Sequence, residues 1–187
     1  VSQTINGCEG PRAEIIVTVN ALAVAPVVIS PVIYCQGQSA APLTATGGGL
    51  LWYNSATGGT GSAIAPTPST ATAGNTTYYV SQVTGCGEGP RAAIIVTVNT
   101  APSATIAYQP AILCNAPNTP ATPNLPVMVT RTGTPGGTYS ISPAAGLSIN
   151  TSTGEIDPSG ATAGVYTIKY TIPAAGGCPD YSVTTTV

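Results

Sequence analysis

The chain has 187 residues, only 5% of them charged, with four basic and six acidic side chains and a formal net charge of −2. Four cations cannot build a patch that tracks phosphates or an anionic bilayer, so nucleic acid is excluded as a partner, and no apolar run approaches the roughly 20 residues of a membrane span, so no membrane insertion is expected in this segment. Histidine and phenylalanine are absent, while 22 glycines, 18 prolines and abundant Thr, Ser, Val and Ala favour many short strands over helices.

Residues 1–20, VSQTINGCEGPRAEIIVTVN, are nearly repeated at residues 80–99, VSQVTGCGEGPRAAIIVTVN, with an offset of 79 at both ends. That period suits one small β-sandwich. The later copy reads as a hairpin, residues 77–83 and 94–98 being rich in β-branched and aromatic residues around a glycine-laden turn that carries Cys86. In each copy a glutamate and an arginine flank Gly-Pro, Glu9 with Arg12 and Glu88 with Arg91. Such a pair is either a solvated ion pair of little weight or a docking contact to the next domain. If the later copy closes a domain at Asn99, the earlier one closes another at Asn20, whose body lies upstream of residue 1. The expected organisation is therefore a closing hairpin of a truncated repeat at 1–20, one sandwich at 21–99 and a second, of a different repeat type, at 100–187.

Within the first full repeat, residues 27–29 read as a strand, followed by a loop with Cys35. Residues 42–45 read as the second strand, 47–49 as a glycine turn, and 50–54 as the central strand, carrying Trp52 and Tyr53. A weak, proline-bordered strand near 63–65 suits an edge, where missing N–H donors do least harm. Ala71-Thr72-Ala73-Gly74 then leads into the closing hairpin. In the second repeat, residues 104–108 and 127–130 are strands around a loop with Cys114, and 138–142 is a third. Residues 146–156 read as a hairpin in which Gly154 supplies the positive φ of the turn. Ala161-Thr162-Ala163-Gly164 repeats the earlier lead-in, and in 165–172 Tyr166, Ile168, Tyr170 and Ile172 alternate with Thr167, Lys169 and Thr171, which buries one face and wets the other. Residues 181–187 form the last strand.

Five cysteines fit this frame. Cys35 and Cys86 fall in one repeat, Cys114 and Cys178 in the next, and Cys8 aligns with Cys86, its partner expected upstream. Two bridges inside the repeats, Cys35 with Cys86 and Cys114 with Cys178, are expected, each contributing roughly 4 kcal/mol in the chain-entropy account. Such bridges imply an oxidising compartment, the alternative being a buried free thiol at each position. Without histidine or a paired CxxC the spacings fit no zinc site.

No cofactor, metal or catalytic residue is expected. Glu155 and Asp157 lie two apart on a strand and share a face, a poor basis for an acid and a base, and a solvated edge accounts for them better. Calcium through Glu155, Asp157 and Asp180 lacks the Asp-rich loop of its usual sites. Asn75-Thr76-Thr77 and Asn150-Thr151-Ser152 match the N-glycosylation pattern, which has weight only in a eukaryotic secretory host. Trp52 reads first as a core ring, and with Tyr53 it is also the candidate for an exposed glycan contact.

Residues 35–99, with CQGQSAAPLTATGGGLLWYN and TTYYVSQVTGCGEGPRAAIIVTVN, resemble the immunoglobulin-like repeats of very large secreted surface proteins of Bacteroidota, the class that includes gliding-motility adhesins exported by the type IX pathway. GGTYSISPAAGLSINTSTGEIDPSGATAGVYTIKYTIPAAGGCP resembles a second repeat type found beside them. The resemblance implies an all-β chain of tandem immunoglobulin-like β-sandwiches, export, display at the cell surface and tandem stacking. Unlike antibody domains, the expected Cys35–Cys86 bridge would staple loops at one end and leave Trp52 to pack without it.

The function expected is that of a non-enzymatic stalk or filament segment of a surface adhesin, used in attachment or gliding, with neighbouring repeats of the same polypeptide as its first partners. Three alternatives stand beside it: a module gripping surface polysaccharide through exposed aromatics, a spacer of a secreted hydrolase, and a subunit that pairs with other filament chains by strand addition.

Overall fold

The computed structural model of the chain describes residues 1–109, 113 and 126–187. Among these residues every regular element is a strand. In chain order they are β1 (Thr4–Ile5), β2 (Cys8–Glu9), β3 (Val27–Val28), β4 (Val32–Cys35), β5 (Ala45–Thr46), β6 (Leu50–Tyr53), β7 (Gly74–Thr84) and β8 (Gly87–Glu88). There follow β9 (Ala92–Asn99), β10 (Ala104–Tyr108), β11 (Val129–Gly133), β12 (Thr138–Ser142), β13 (Ser148–Ile149), β14 (Ile156–Asp157), β15 (Thr167–Ile172) and β16 (Tyr181–Thr186). The all-β class is as expected. By compactness the chain divides into unit 1, Val1–Ser30 with Leu43–Pro66 and Thr77–Ile94, and unit 2, Pro31–Pro42 with Thr67–Thr76 and Ile95–Val187.

In unit 1, β1 and β2 form a two-residue hairpin with Ile5 opposite Cys8. Its turn is Asn6-Gly7, both with positive φ, the conformation that Asn-Gly adopts at least cost and that matches strand twist. β3 pairs with β5 and β6 with β7, Trp52 standing opposite Val80 and Tyr53 opposite Tyr79. Trp52 exchanges two backbone hydrogen bonds with Ser62, at 2.8 and 3.0 Å, which is all that remains of the edge strand expected near 63–65. Ala23, Leu43, Trp52, Tyr53, Val80 and Ile94 are buried. The alternation of β9, where Ile94, Val96 and Val98 are buried, has no counterpart in the earlier copy: Ile15, Val17 and Val19 are exposed and form no strand.

In unit 2, β4 runs parallel to the second half of β9, with Val32 opposite Val96 and Cys35 opposite Asn99. The sequence reading made this segment a loop. Pro31 before it and Gln36-Gly37 after it look like turn signals, and its pairing partner lies far along the chain. β12, β15 and β16 form an antiparallel sheet, β10 pairs with β11, and β13 with β14. The alternation read in 165–172 sets the core, Tyr166, Ile168, Tyr170 and Ile172 being buried together with Ile106, Tyr108, Tyr139 and Ile156. The Tyr139 and Tyr170 rings pack at 4.7 Å between centroids, within the favourable aromatic range. Between β13 and β14 the Asn150 side-chain oxygen accepts from the amides of Ser152 and Thr153, and Gly154 takes φ 76°, as the hairpin required.

Candidate functional site

Two constellations of polar or reactive side chains emerge. The first lies in unit 1, where β6 presents Tyr53, β7 presents Ser81, β8 presents Glu88, and Arg91 follows from the turn. One carboxylate oxygen of Glu88 accepts the Ser81 hydroxyl at 2.6 Å and the Tyr53 hydroxyl at 2.7 Å. Arg91 donates to the Ser55 carbonyl at 2.7 Å, and its guanidinium carbon stands 3.3 Å from the Tyr53 ring centroid. The Arg91–Glu88 approach itself is long, 3.9 Å. The arginine is thus held by a ring and a carbonyl more than by its acid, so the pair is not simply a solvated one. Hydrogen bonds from Ser81 and Tyr53, with Arg91 nearby, hold the Glu88 carboxyl below the usual glutamate range.

The same wiring is present in the earlier copy. Ser2 donates to Glu9 at 2.6 Å and Arg12 to Glu9 at 3.2 Å, so Glu9 is likewise held low, first by Ser2 and then by Arg12. Ser2, Glu9 and Arg12 each precede Ser81, Glu88 and Arg91 by 79 residues. The Arg12 side chain is 81% exposed, against 14% for Arg91.

The second constellation is in unit 2. Cys35 and Cys178 are joined as a disulfide with Cα atoms 4.6 Å apart, across a sequence separation of 143. This corrects both expected pairings. Cys35 is level with Asn99, the last residue of β9, whereas Cys86 lies in the turn before Ala92, its first. The Cys35 sulfur is bonded to Cys178, so it is not available to Cys86. Cys86 is a free, exposed thiol, as is Cys8. Cys114 lies outside the described residues, and Cys178, its expected partner, is taken.

Cys178 sits in the turn between β15 and β16, and that turn is shaped to approach β4 and the end of β9. The Asn99 side chain donates to the Gly176 carbonyl at 2.7 Å. Gly176 and Gly177 have φ of 56° and 78°, and a Cβ on Gly177 would stand 3.2 Å from Ile33. Glycine is required there by conformation and by closeness together. The sequence signal that marked this turn was Gly-Cys, shared by Gly7-Cys8, Gly85-Cys86 and Gly177-Cys178.

Trp52 and Tyr53 are only 5% and 7% exposed. A ring so enclosed has no face for a sugar, so the glycan-contact role expected of them is withdrawn, and both serve packing and the Glu88 network. Glu155, Asp157 and Asp180 do not assemble: among the described residues no three acidic, cysteine or histidine side chains are placed to hold a metal. Asp157 is held low instead by Ser159, through its side chain first and its amide next. An apolar hollow in unit 2, between Leu113, Leu147, Val165, Tyr166 and Val187, has no charged side chain among the described residues of its wall, and the Tyr166 hydroxyl is already spent on the Thr162 carbonyl. No helix among the described residues is long and apolar enough to cross a membrane.

Several mostly antiparallel sheets and strands with alternating buried faces define a protein of the all-β, immunoglobulin-like class. Residues 24–100 match the family described as Ig-like domain CHU_C associated. The chain is also similar to protocadherin gamma B7 extracellular cadherin domains 1–4, at 13% identity over 87% of this chain and 47% of that one, with a TM-score of 0.38. Human CDH23 EC21-23 is similar at 16% identity over 87% and 65%, with a TM-score of 0.35. A SusE-like surface located polysaccharide binding protein from the Bacteroides thetaiotaomicron heparin utilisation locus is similar at 13% identity over 87% and 32%, with a TM-score of 0.31. The chain spans less than two thirds of each of these structures. No curated protein sequence matches it.

Proposed function

We propose that the chain is a structural repeat segment, a stalk or filament portion, of a large cell-surface protein of the adhesin type, and that it carries no catalytic activity. The observation that carries this reading is the reuse of one device: Ser2–Glu9–Arg12 and Ser81–Glu88–Arg91 make corresponding contacts 79 residues apart, the second within the immunoglobulin-like domain at 24–100. A fold that repeats its closing hairpin together with its wiring is selected for stacking. The repeats are 21–99 and 100–187, with 1–20 closing another. The low charge and the Cys35–Cys178 disulfide suit the outside of a cell. Attachment to surfaces, use in gliding and export by the type IX route belong to the same reading through the resemblance of the repeats. The intact mass of the natively isolated protein, measured under reducing conditions, tests it. A mass far above 18.4 kDa is expected, and a mass near 18.4 kDa overturns the stalk.

A second reading has its own observation. Ile15, Ile16, Val17 and Val19 are 65–90% exposed although their copy in β9 has its apolar face buried. A discrete subunit that lends this segment to another chain by strand addition would use it so. For that reading the reduced mass is near 18.4 kDa while the native species is a polymer.

A further inference from the structure

Resting on the tandem-repeat reading, we propose that Cys86 is the attachment point of a disulfide to the loop cysteine of a preceding repeat, so that successive repeats are bonded from hairpin tip to loop. Cys35 ends β4 of repeat 21–99, and Cys178 lies in the turn of the closing hairpin of repeat 100–187. The disulfide therefore joins the loop cysteine of one repeat to the tip cysteine of the next, and neither repeat closes a bridge of its own through these two residues.

Cys86 occupies the place in its repeat that Cys178 occupies in the following one. Both lie in the turn of the closing hairpin, both follow a glycine, and both hairpins are entered through Ala-Thr-Ala-Gly, at 71–74 and 161–164. Cys86 is exposed, its thiol unbonded, and Cys35 is already bonded to Cys178. The loop cysteine of its own repeat being taken, Cys86 is left to bond one from the repeat before it, as Cys178 bonds Cys35. The end of the earlier hairpin carries the matching feature, Asn20 standing where Asn99 stands when it donates to Gly176. In the bond-forming step two thiols, on Cys86 and on the incoming loop cysteine, give up two protons and two electrons. A small-molecule or protein disulfide of the oxidising compartment takes them up and leaves as two thiols.

The test uses the full chain with a copy of its own residues 21–79 fused ahead of Val1, so that the added segment and residues 1–20 together complete a repeat. The protein is refolded in a glutathione redox buffer, digested without reduction and mapped. The expected result is a disulfide between Cys35 of the added copy and Cys86, beside the native Cys35–Cys178 bond. In the Cys86→Ser variant the added Cys35 should become alkylatable and form no bond to Cys8. A bond between the added Cys35 and Cys8, or an added Cys35 left free while Cys86 is present, overturns the inference. Hydrogen exchange of residues 13–20 in the same protein separates the two levels. Protection of those amides with the wrong cysteine pairing sinks only the bond, whereas amides that stay fast in the extended chain sink the repeat reading and the inference with it.

Discussion

Arg91 stands over Tyr53, its guanidinium carbon 3.3 Å from the ring centroid, and the same tyrosine donates its hydroxyl to Glu88 at 2.7 Å. A closing turn is thereby fastened to a strand 38 residues earlier by a ring and a carboxylate. Because the Arg91 side chain is largely enclosed, the contact is partly desolvated and should count. Arg91→Ala should lower stability by about 1–2 kcal/mol, losing both the cation–π contact and the Ser55 hydrogen bond. Arg91→Lys should recover only part of this, since an ammonium has no planar fork to serve the ring and the carbonyl together. Arg12→Ala, in the exposed copy, should leave the thermal midpoint where it was. Equal midpoints for wild type and Arg91→Ala would show that the ring contact carries no weight.

Glu88 sets the acid behaviour of the same network. Its carboxyl is held below the ordinary glutamate range, by Ser81 first and Tyr53 next, so the folded state favours the charged form. A carboxyl with a lowered folded value contributes stability that is fully present above the unfolded value and is lost as pH falls through the folded one. The thermal midpoint should therefore hold from neutral pH down to the glutamate range and decline below it. Glu88→Gln should flatten that decline while lowering the plateau. A decline just as steep in the variant would assign it to other carboxylates.

How much of this was legible follows from the range of each interaction. The face formed by Tyr166, Ile168, Tyr170 and Ile172 was readable because strand periodicity is local, and so was the turn at Gly154. β4 was not, because its parallel partner in β9 stands 64 residues away and no neighbouring residue encodes that pairing. The error in the disulfides has the same root. Equal numbers of cysteines per repeat suggest bridges within repeats, and only the register, which puts Cys35 beside Asn99 and so beside the Gly176 turn, brings it to Cys178. Glu88 and Arg91 were visible as a pair, but the tyrosine that holds both lies too far back in the chain to be inferred. Trp52 was read correctly as a core ring, and its burial removes the alternative role.

Tyr108 offers a test inside unit 2. Its hydroxyl donates to the Gly154 carbonyl at 2.6 Å in a buried setting, and burial pushes its phenol well above the ordinary tyrosine range. Burial also raises the Tyr139 phenol, so in an alkaline titration followed by ultraviolet absorbance both Tyr108 and Tyr139 should ionise late, and Tyr108→Phe should reduce that late step by one tyrosine. The variant should also be less stable by about 1–2 kcal/mol, because the Gly154 carbonyl is left buried without its donor. A titration in which every tyrosine ionises together while the protein is folded would rule out the buried hydrogen bond.

The disulfide makes the largest stability prediction. Closing a loop with a separation of 143 residues is worth about 5 kcal/mol in the chain-entropy account, an upper figure because compact unfolded chains have less entropy to lose. Cys178→Ser should therefore shift the guanidinium unfolding of unit 2 to markedly lower denaturant, and reductant should do the same to the wild type while leaving the variant unmoved. Cys86→Ser, which removes an exposed thiol, should unfold like the wild type. The turn adds a control that separates covalent from packing effects: Asn99→Ala removes the hydrogen bond to Gly176 but keeps the bond between the cysteines, so it should cost only ~1 kcal/mol. If Cys178→Ser were harmless and Cys86→Ser damaging, the pairing would be the one expected from the repeats and not the one the β4–β9 register holds.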